Sequence, residues 1–232
     1  MKGKAIAVTG AFGSLGRVVA AVAVDRGASV AALDVSATAP DGLAERLGPD
    51  ALMLGGVDLS STAGAQAAIE GVVAKFGRLD ALVNIAGGFA WEKVEGESSA
   101  SWDRMFAMNL KTAVHASKAA IPHLLASGAG RIVNVGAASA IKAGVGFGPY
   151  AASKGAVHRL TESLAEELKN RGVTVNAVLP SIIDTPANRA DMPGASFDHW
   201  VAPADLAAVI LFLVSDEARA VTGALIPVTG GV

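Results

Sequence analysis

The chain has 232 residues, of which 52% are hydrophobic and only 17% charged, at a net charge of −2. That is enough apolar material for one sizeable α/β core, with a surplus that favours burial between subunits. The interspersed charges exclude a basic nucleic-acid face and an acidic tail; the lack of cysteine excludes disulfides, thiolate chemistry and cysteine-ligated zinc. His115, His123, His158 and His199 have no metal-ligand spacing, so no metal is expected, and the longest apolar run, 206–214, is too short to span a bilayer.

In chain order, the first predicted strand covers 4–9 and runs straight into TGAFGSLG at 9–16, followed by a helix over 14–26. Gly10 permits a tight strand-to-helix turn, Gly13 lets backbone approach a pyrophosphate, and Gly16 lets helix and sheet pack closely. The helix start, with Ser14 and Leu15, offers free N–H groups to an anion. The second strand, 28–34, ends in Asp34. A carboxylate there either accepts both ribose hydroxyls of an adenosine or is an ordinary strand-end aspartate. In the first case it repels a 2′-phosphate, and VSATA after it supplies no base, so NAD(H) is the expected cofactor.

Further strands are expected at 51–57, 79–84, 131–135, 173–179 and 223–228, with helices near 61–76, 101–127, 150–171 and 203–215. Pro122 should kink or terminate its helix. Val157, Leu160, Leu164 and Leu168 form one apolar stripe. Nearly continuous apolar strands alternating with helices predict a single-domain (1–232) Rossmann-type α/β fold, a doubly wound parallel sheet of about seven strands with helices on both faces. Residues 180–202 read as one long irregular stretch, a substrate lid.

YAASK places Tyr150 and Lys154 one helical turn apart on one face. A free tyrosine, with a pKa of about 10, is a poor proton shuttle at neutral pH, and a neighbouring ammonium favours the phenolate.

With VDLS, VNIAGG, MNL and VLPSIIDTP added, the whole chain resembles the short-chain dehydrogenase/reductase family. The resemblance implies an NAD(H)-dependent oxidoreductase that moves a hydride between nicotinamide and a carbonyl, hydroxyl or quinonoid small molecule. It implies catalysis by Tyr150, Lys154 and Asn109, the last anchoring a proton-relay water or satisfying backbone. It implies cofactor contacts from Gly10, Gly13, Ser14, Leu15, Gly16, Asp34, Asp58, Leu59, Asn84, Ala86, Gly87, Tyr150, Lys154, Pro180, Ile183 and Thr185. A cytoplasmic homo-oligomer, most simply a tetramer, is expected, with neither nucleic acid nor membrane as a partner. The chain departs from the family pattern at Gly13 and Ser14, Ile85 and Ser181. A non-catalytic NAD-binding sensor and an NAD-retaining epimerase or dehydratase are the alternatives.

AGGFA, YAASKGAVHRL and the 178–200 segment are also similar to dihydropteridine reductases, which reduce a quinonoid ring and lack a serine in the usual slot. Trp91, Met192, Phe197 and Trp200 are candidates for the substrate wall and equally for core or subunit contacts. The usual serine position holds Ala137, and Ser139 follows two residues later. An extended backbone displaces Ser139 by about 6–7 Å. Either a tight curl brings its hydroxyl to the substrate, or Tyr150 works without it.

Overall fold

The structure, a computed structural model, describes residues 1–95 and 99–231. The elements follow one another as β1 (Ala5–Thr9), α1 (Ser14–Asp25), β2 (Ser29–Leu33), α2 (Leu43–Leu47), β3 (Leu52–Leu54), α3 (Thr62–Phe76), β4 (Ala81–Asn84), α4 (Ala100–Met105), α5 (Thr112–Ala126), β5 (Gly130–Val135), α6 (Gly148–Leu168), β6 (Val173–Pro180), α7 (Pro186–Asp191), α8 (Pro203–Val214) and β7 (Leu225–Val228). All seven strands join one parallel sheet in the order β3-β2-β1-β4-β5-β6-β7. The order reverses between β1 and β4, so the strand ends leave a crevice there at the carboxyl edge, where ligands of open α/β sheets bind.

Alternation along each strand feeds two separate cores. Ile6, Val8, Val30, Val83, Val133 and Val178 pack with α1, α2 and α8. Ala7, Leu33, Leu82, Ile132 and Val175 face the other way, onto α3, α5 and α6. Both faces are covered, which is why the strands read as unbroken apolar runs. On α6 the expected stripe is in place, with Val157, Leu164 and Leu168 buried and Leu160 packed beside the second core.

The structure differs from the sequence expectations in four places. The strand expected over 51–57 stops at Leu54, because Gly55 and Gly56 turn the chain against Ser36 and Ala37. The helix expected over 101–127 is three joined pieces: α4, a π turn at Phe106–Lys111, and α5. Pro122 does not end α5, which runs on to Ala126; it lies in the closing turns, where Leu124 still anchors the helix to the core. The 180–202 stretch is not irregular throughout. It holds α7, whose first turn is capped by Thr185 Oγ1 accepting the Asn188 N–H at 3.2 Å, and a parallel bridge between Ile183 and Val201.

Candidate active site

A cleft of about 600 Å³ opens at the β1–β4 reversal. Gly10, Gly13, Ser14, Leu15, Gly16, Asp34, Asp58, Leu59, Ala86 and Gly87 all line it. Gly10 turns with a positive φ of 63°, and a Cβ there would lie 2.9 Å from the Ala86 backbone. A Cβ at Gly16 would collide with the Gly10 carbonyl oxygen. Side chains are thus kept out of the floor by packing as well as by anything the floor might hold. α1 starts beside it with no side-chain cap, so its first N–H groups stay available to an anion.

Asp34 is fixed by two backbone donors: Phe12 N–H to Oδ2 and Ser36 N–H to Oδ1, both at 2.9 Å. Each carboxylate oxygen has a second lone pair left for a hydroxyl. Asp58 accepts from the Ser60 hydroxyl at 2.6 Å and the Ser60 N–H at 2.9 Å, and these hold its carboxyl below the usual range. A glycine floor, an uncapped helix end and an oriented carboxylate together fit a dinucleotide with a free adenosine ribose.

Asn84 is not part of this cleft. It is turned into the sheet, where its Nδ2 donates to Asn134 Oδ1 at 2.9 Å and Ser117 Oγ at 3.2 Å. Thr9 ties the neighbouring strand exits together instead, its Oγ1 accepting from the N–H groups of Ile85 and Ala86. Ile183 and Thr185 stand at the lid base and serve α7: the Ile183 carbonyl accepts from Asn188 Nδ2 at 2.7 Å, and Thr185 is the cap. Pro180 closes β6, paired in register with Val228.

Beyond Gly87 lies the Tyr150–Lys154 pair. Lys154 is only 6% exposed, and its Nζ donates to the Val135 carbonyl at 2.8 Å. A Cβ on Gly87 would sit 2.5 Å from Asn109 Oδ1 and 3.4 Å from Lys154 Nζ, so the cleft and the pair meet at this residue. Asn109 lies in the π turn and is fully engaged with protein. Its Oδ1 accepts the Gly88 N–H at 2.9 Å, and its Nδ2 donates to the Gly88 carbonyl at 3.1 Å and to Ser153 Oγ at 2.9 Å. Its amide clamps the strand exit to α6.

Burial pushes the Tyr150 phenol up to about 12 and the Lys154 ammonium down to about 8. This reverses the direction expected for the tyrosine. The ammonium is committed to Val135, and loss of solvent around the phenol dominates. Phe89 and Phe147 lie beside the Tyr150 ring. Their centroids lie 5.0 Å and 6.3 Å from that of Tyr150, both edge-on, and 5.2 Å from each other. Neither ring announces itself in the sequence, because the bracket joins two loops far apart in the chain. Trp91 fastens those loops, donating from Nε1 to the Val145 carbonyl at 3.0 Å.

Among the proposed wall residues, Trp200 is buried and stacks edge-on with Phe197 at 4.7 Å, and the Arg189 guanidinium lies over Phe197. They form the lid's own packing. Met192 ends α7. Residues 138–140 curl into a 3₁₀ turn that begins after Ala137, so the extended path for Ser139 is not taken. Arg104, Ala107, Met108 and Thr112 also line the cleft and were not anticipated, although their spacing follows one face of the α4–α5 run.

The description "short chain dehydrogenase" belongs to the family model that matches residues 4–195. The 2-(S)-hydroxypropyl-CoM dehydrogenase 3 of Xanthobacter autotrophicus is 34% identical, over 100% of this chain and 97% of its own length. The crystal structure of carveol dehydrogenase from Mycobacterium avium in complex with NAD superposes with a TM-score of 0.86 at 29% identity, covering 100% and 98% of the two chains. An NAD+-bound xylitol dehydrogenase gives 0.90 at 25% identity, covering 99% of each.

Tyr150 is the chain's single tyrosine, so its ionisation can be read by ultraviolet absorbance without interference. The folded, ligand-free protein is expected to show no phenolate at about pH 10.5, where a free tyrosine is more than half ionised, and to show it near pH 10 in denaturant. Phenolate appearing in the folded protein below pH 10 would mean that the Lys154 charge outweighs burial.

Proposed function

The chain belongs to the short-chain dehydrogenase/reductase family and is an oxidoreductase of hydroxyl or carbonyl compounds, and on that premise we propose that it is an NAD(H)-dependent reductase of a conjugated carbonyl or quinonoid ring. The observation that carries this reading is the aromatic bracket around the proton-bearing tyrosine. Phe89 is 51% exposed, and with Phe147 it stands beside the Tyr150 ring at a steep interplanar angle. Flat π-systems pack against aromatic rings with about 0.5–1.5 kcal/mol beyond area burial.

A nicotinamide dinucleotide, when bound, supplies the hydride chemistry. Gly10, Gly13 and the uncapped start of α1 would hold its pyrophosphate, with Ser14, Leu15 and Gly16 behind them. Asp34 would hold the adenosine ribose, and Asp58, Leu59, Ala86 and Gly87 would flank the adenosine and the passage to the reacting end. Lys154 would hold the second ribose, while Pro180, Ile183 and Thr185 border the nicotinamide side. Tyr150, a phenol in the ligand-free protein, would give its proton to the substrate oxygen during reduction, although burial makes it a weaker acid than free tyrosine. Asn109 fixes the Gly88 backbone and α6 around that proton path.

For cofactor choice, NADH should bind at least tenfold more tightly than NADPH, a difference of about 1.4 kcal/mol or more. Asp34 would meet the extra phosphate and the 35–39 segment has no base; Arg104, on α4, lines the same cleft as Val35 and Ser36. Isothermal titration with both reduced cofactors checks this, and equal affinities would remove Asp34 from the ribose.

For the chemistry, turnover should be followed through NADH absorbance with quinonoid dihydropterin, quinones, simple ketones and sugar acids. The conjugated rings are expected to lead. Tyr150→Phe should lose most activity with NADH affinity kept, and Lys154→Ala should lose both. Ser139→Ala should change kcat/KM by less than about tenfold, because loss of a true polarising donor costs about a hundredfold or more. Near-normal turnover by Tyr150→Phe would sink the assignment.

We also propose a homotetramer, in keeping with the low charged fraction and the large apolar share. Light scattering at micromolar concentration should return about four times the 23.1 kDa chain mass, and a monomer mass would refute it.

A further inference from the structure

The proton-handling pair does not use His158, yet this histidine is built into the site. It stands on α6 one turn beyond Lys154 and is 3% exposed. Its Nε2 accepts the N–H of Ala137 at 3.3 Å. A Cβ on Gly136 would lie 2.5 Å from Nε2 and 2.7 Å from Cδ2, so the glycine and the imidazole occupy one shared space. The three residues leaving β5 are therefore held one by one. The Val135 carbonyl accepts from Lys154, the Gly136 N–H donates to the Val178 carbonyl at 2.9 Å, and the Ala137 N–H donates to His158.

Two of these three holds come from α6 side chains one turn apart, and one of them is the lysine of the pair. Moving Ala137 moves Gly136 and Val135, and with them the carbonyl that keeps the Lys154 ammonium in place. We infer that His158 is a positioning residue whose neutral imidazole fixes the 135–137 segment, and through it Lys154, and that a proton on this imidazole releases the segment and lowers activity.

Only a nitrogen without a proton can accept the Ala137 N–H, so the imidazole proton must sit on Nδ1. A second proton would set two donors against each other and add a cation beside Lys154. Burial, then Arg159, then Lys154 oppose that proton, and Glu162 alone favours it; the balance holds His158 below the ordinary histidine range. All three of those charges belong to α6. From the β5 exit the ring meets Gly136 and Ala137, which carry no titratable side chain.

The inference rests on the hydride-transfer reading of Tyr150 and Lys154, so its test needs one arm with turnover and one without. In the first arm, kcat/KM for the best conjugated-ring substrate and NADH is measured from pH 8 down to pH 5 for the whole enzyme and for His158→Gln. The amide oxygen of glutamine can still accept from Ala137 but does not titrate. The unaltered enzyme is expected to lose activity at the acid end of this range, and the glutamine variant to show no such loss whatever its level at pH 8. An identical acid limb in both, or none in the unaltered enzyme, overturns the proposal.

In the second arm, amide hydrogen exchange of the segment containing Ala137 is followed by mass spectrometry, corrected for the intrinsic pH dependence. Protection should fall at acid pH in the unaltered protein and be lost at every pH in His158→Leu, with the β1–β2 segments unchanged as an internal control for folding. Protection unaffected by either change overturns the proposal without reference to any substrate. If no compound is turned over, the functional reading falls on its own and the exchange measurement alone decides the role of His158.

Discussion

A lysine ammonium sealed inside the protein and donated to a strand-end carbonyl is the constraint around which this molecule is arranged. Lys154 would ordinarily stay hydrated, and its removal from water costs several kcal/mol. That cost is offset in part by the 2.8 Å bond to Val135, and a side chain on Gly87 would come to 3.4 Å from the ammonium. Holding the carbonyl in place requires β5 to be in register with β4 and β6 and α6 to lie close across the strand exits. Asn109 and His158 then bind the two flanking backbones, Gly88 and Ala137, to the same helix.

The same arrangement divides the site into two unequal parts. The floor of the glycine cleft is made of backbone, at Gly10, Gly13 and Gly16, and its place follows from the β1–β4 reversal. The region around Tyr150 is the opposite. Its walls are Phe89, Phe147 and Trp91, carried on loops after β4 and before α6 and pinned together by one indole N–H. Known relatives of this chain are named for a hydroxypropyl thioether, a terpene alcohol and a sugar alcohol. A shared cleft with variable loops is the physical basis for such breadth.

The lid is held by its own side chains. Trp200 is buried, Phe197 stacks on it, and Arg189 covers Phe197 while pairing with Asp184. A small segment standing off the main sheet has to bury something of its own to hold a shape, and these side chains are what it has.

The sequence by itself determined the sheet, its helical layers, the glycine floor and the pairing of Tyr150 with Lys154, because each depends on spacing within a short stretch. Apolar runs define buried parallel strands, a three-glycine turn between strand and helix leaves backbone bare, and four residues in a helix bring two side chains to one face. The tertiary structure alone decided what those groups experience. The direction of the Tyr150 shift, the retreat of Asn84 into the sheet, the π turn that carries Asn109, the Phe89–Phe147 bracket and the bond from Ala137 to His158 all join residues about twenty or more positions apart, or hinge on how much water packing removes. Local spacing carries no record of either quantity, since both are set by which distant elements come to lie against one another.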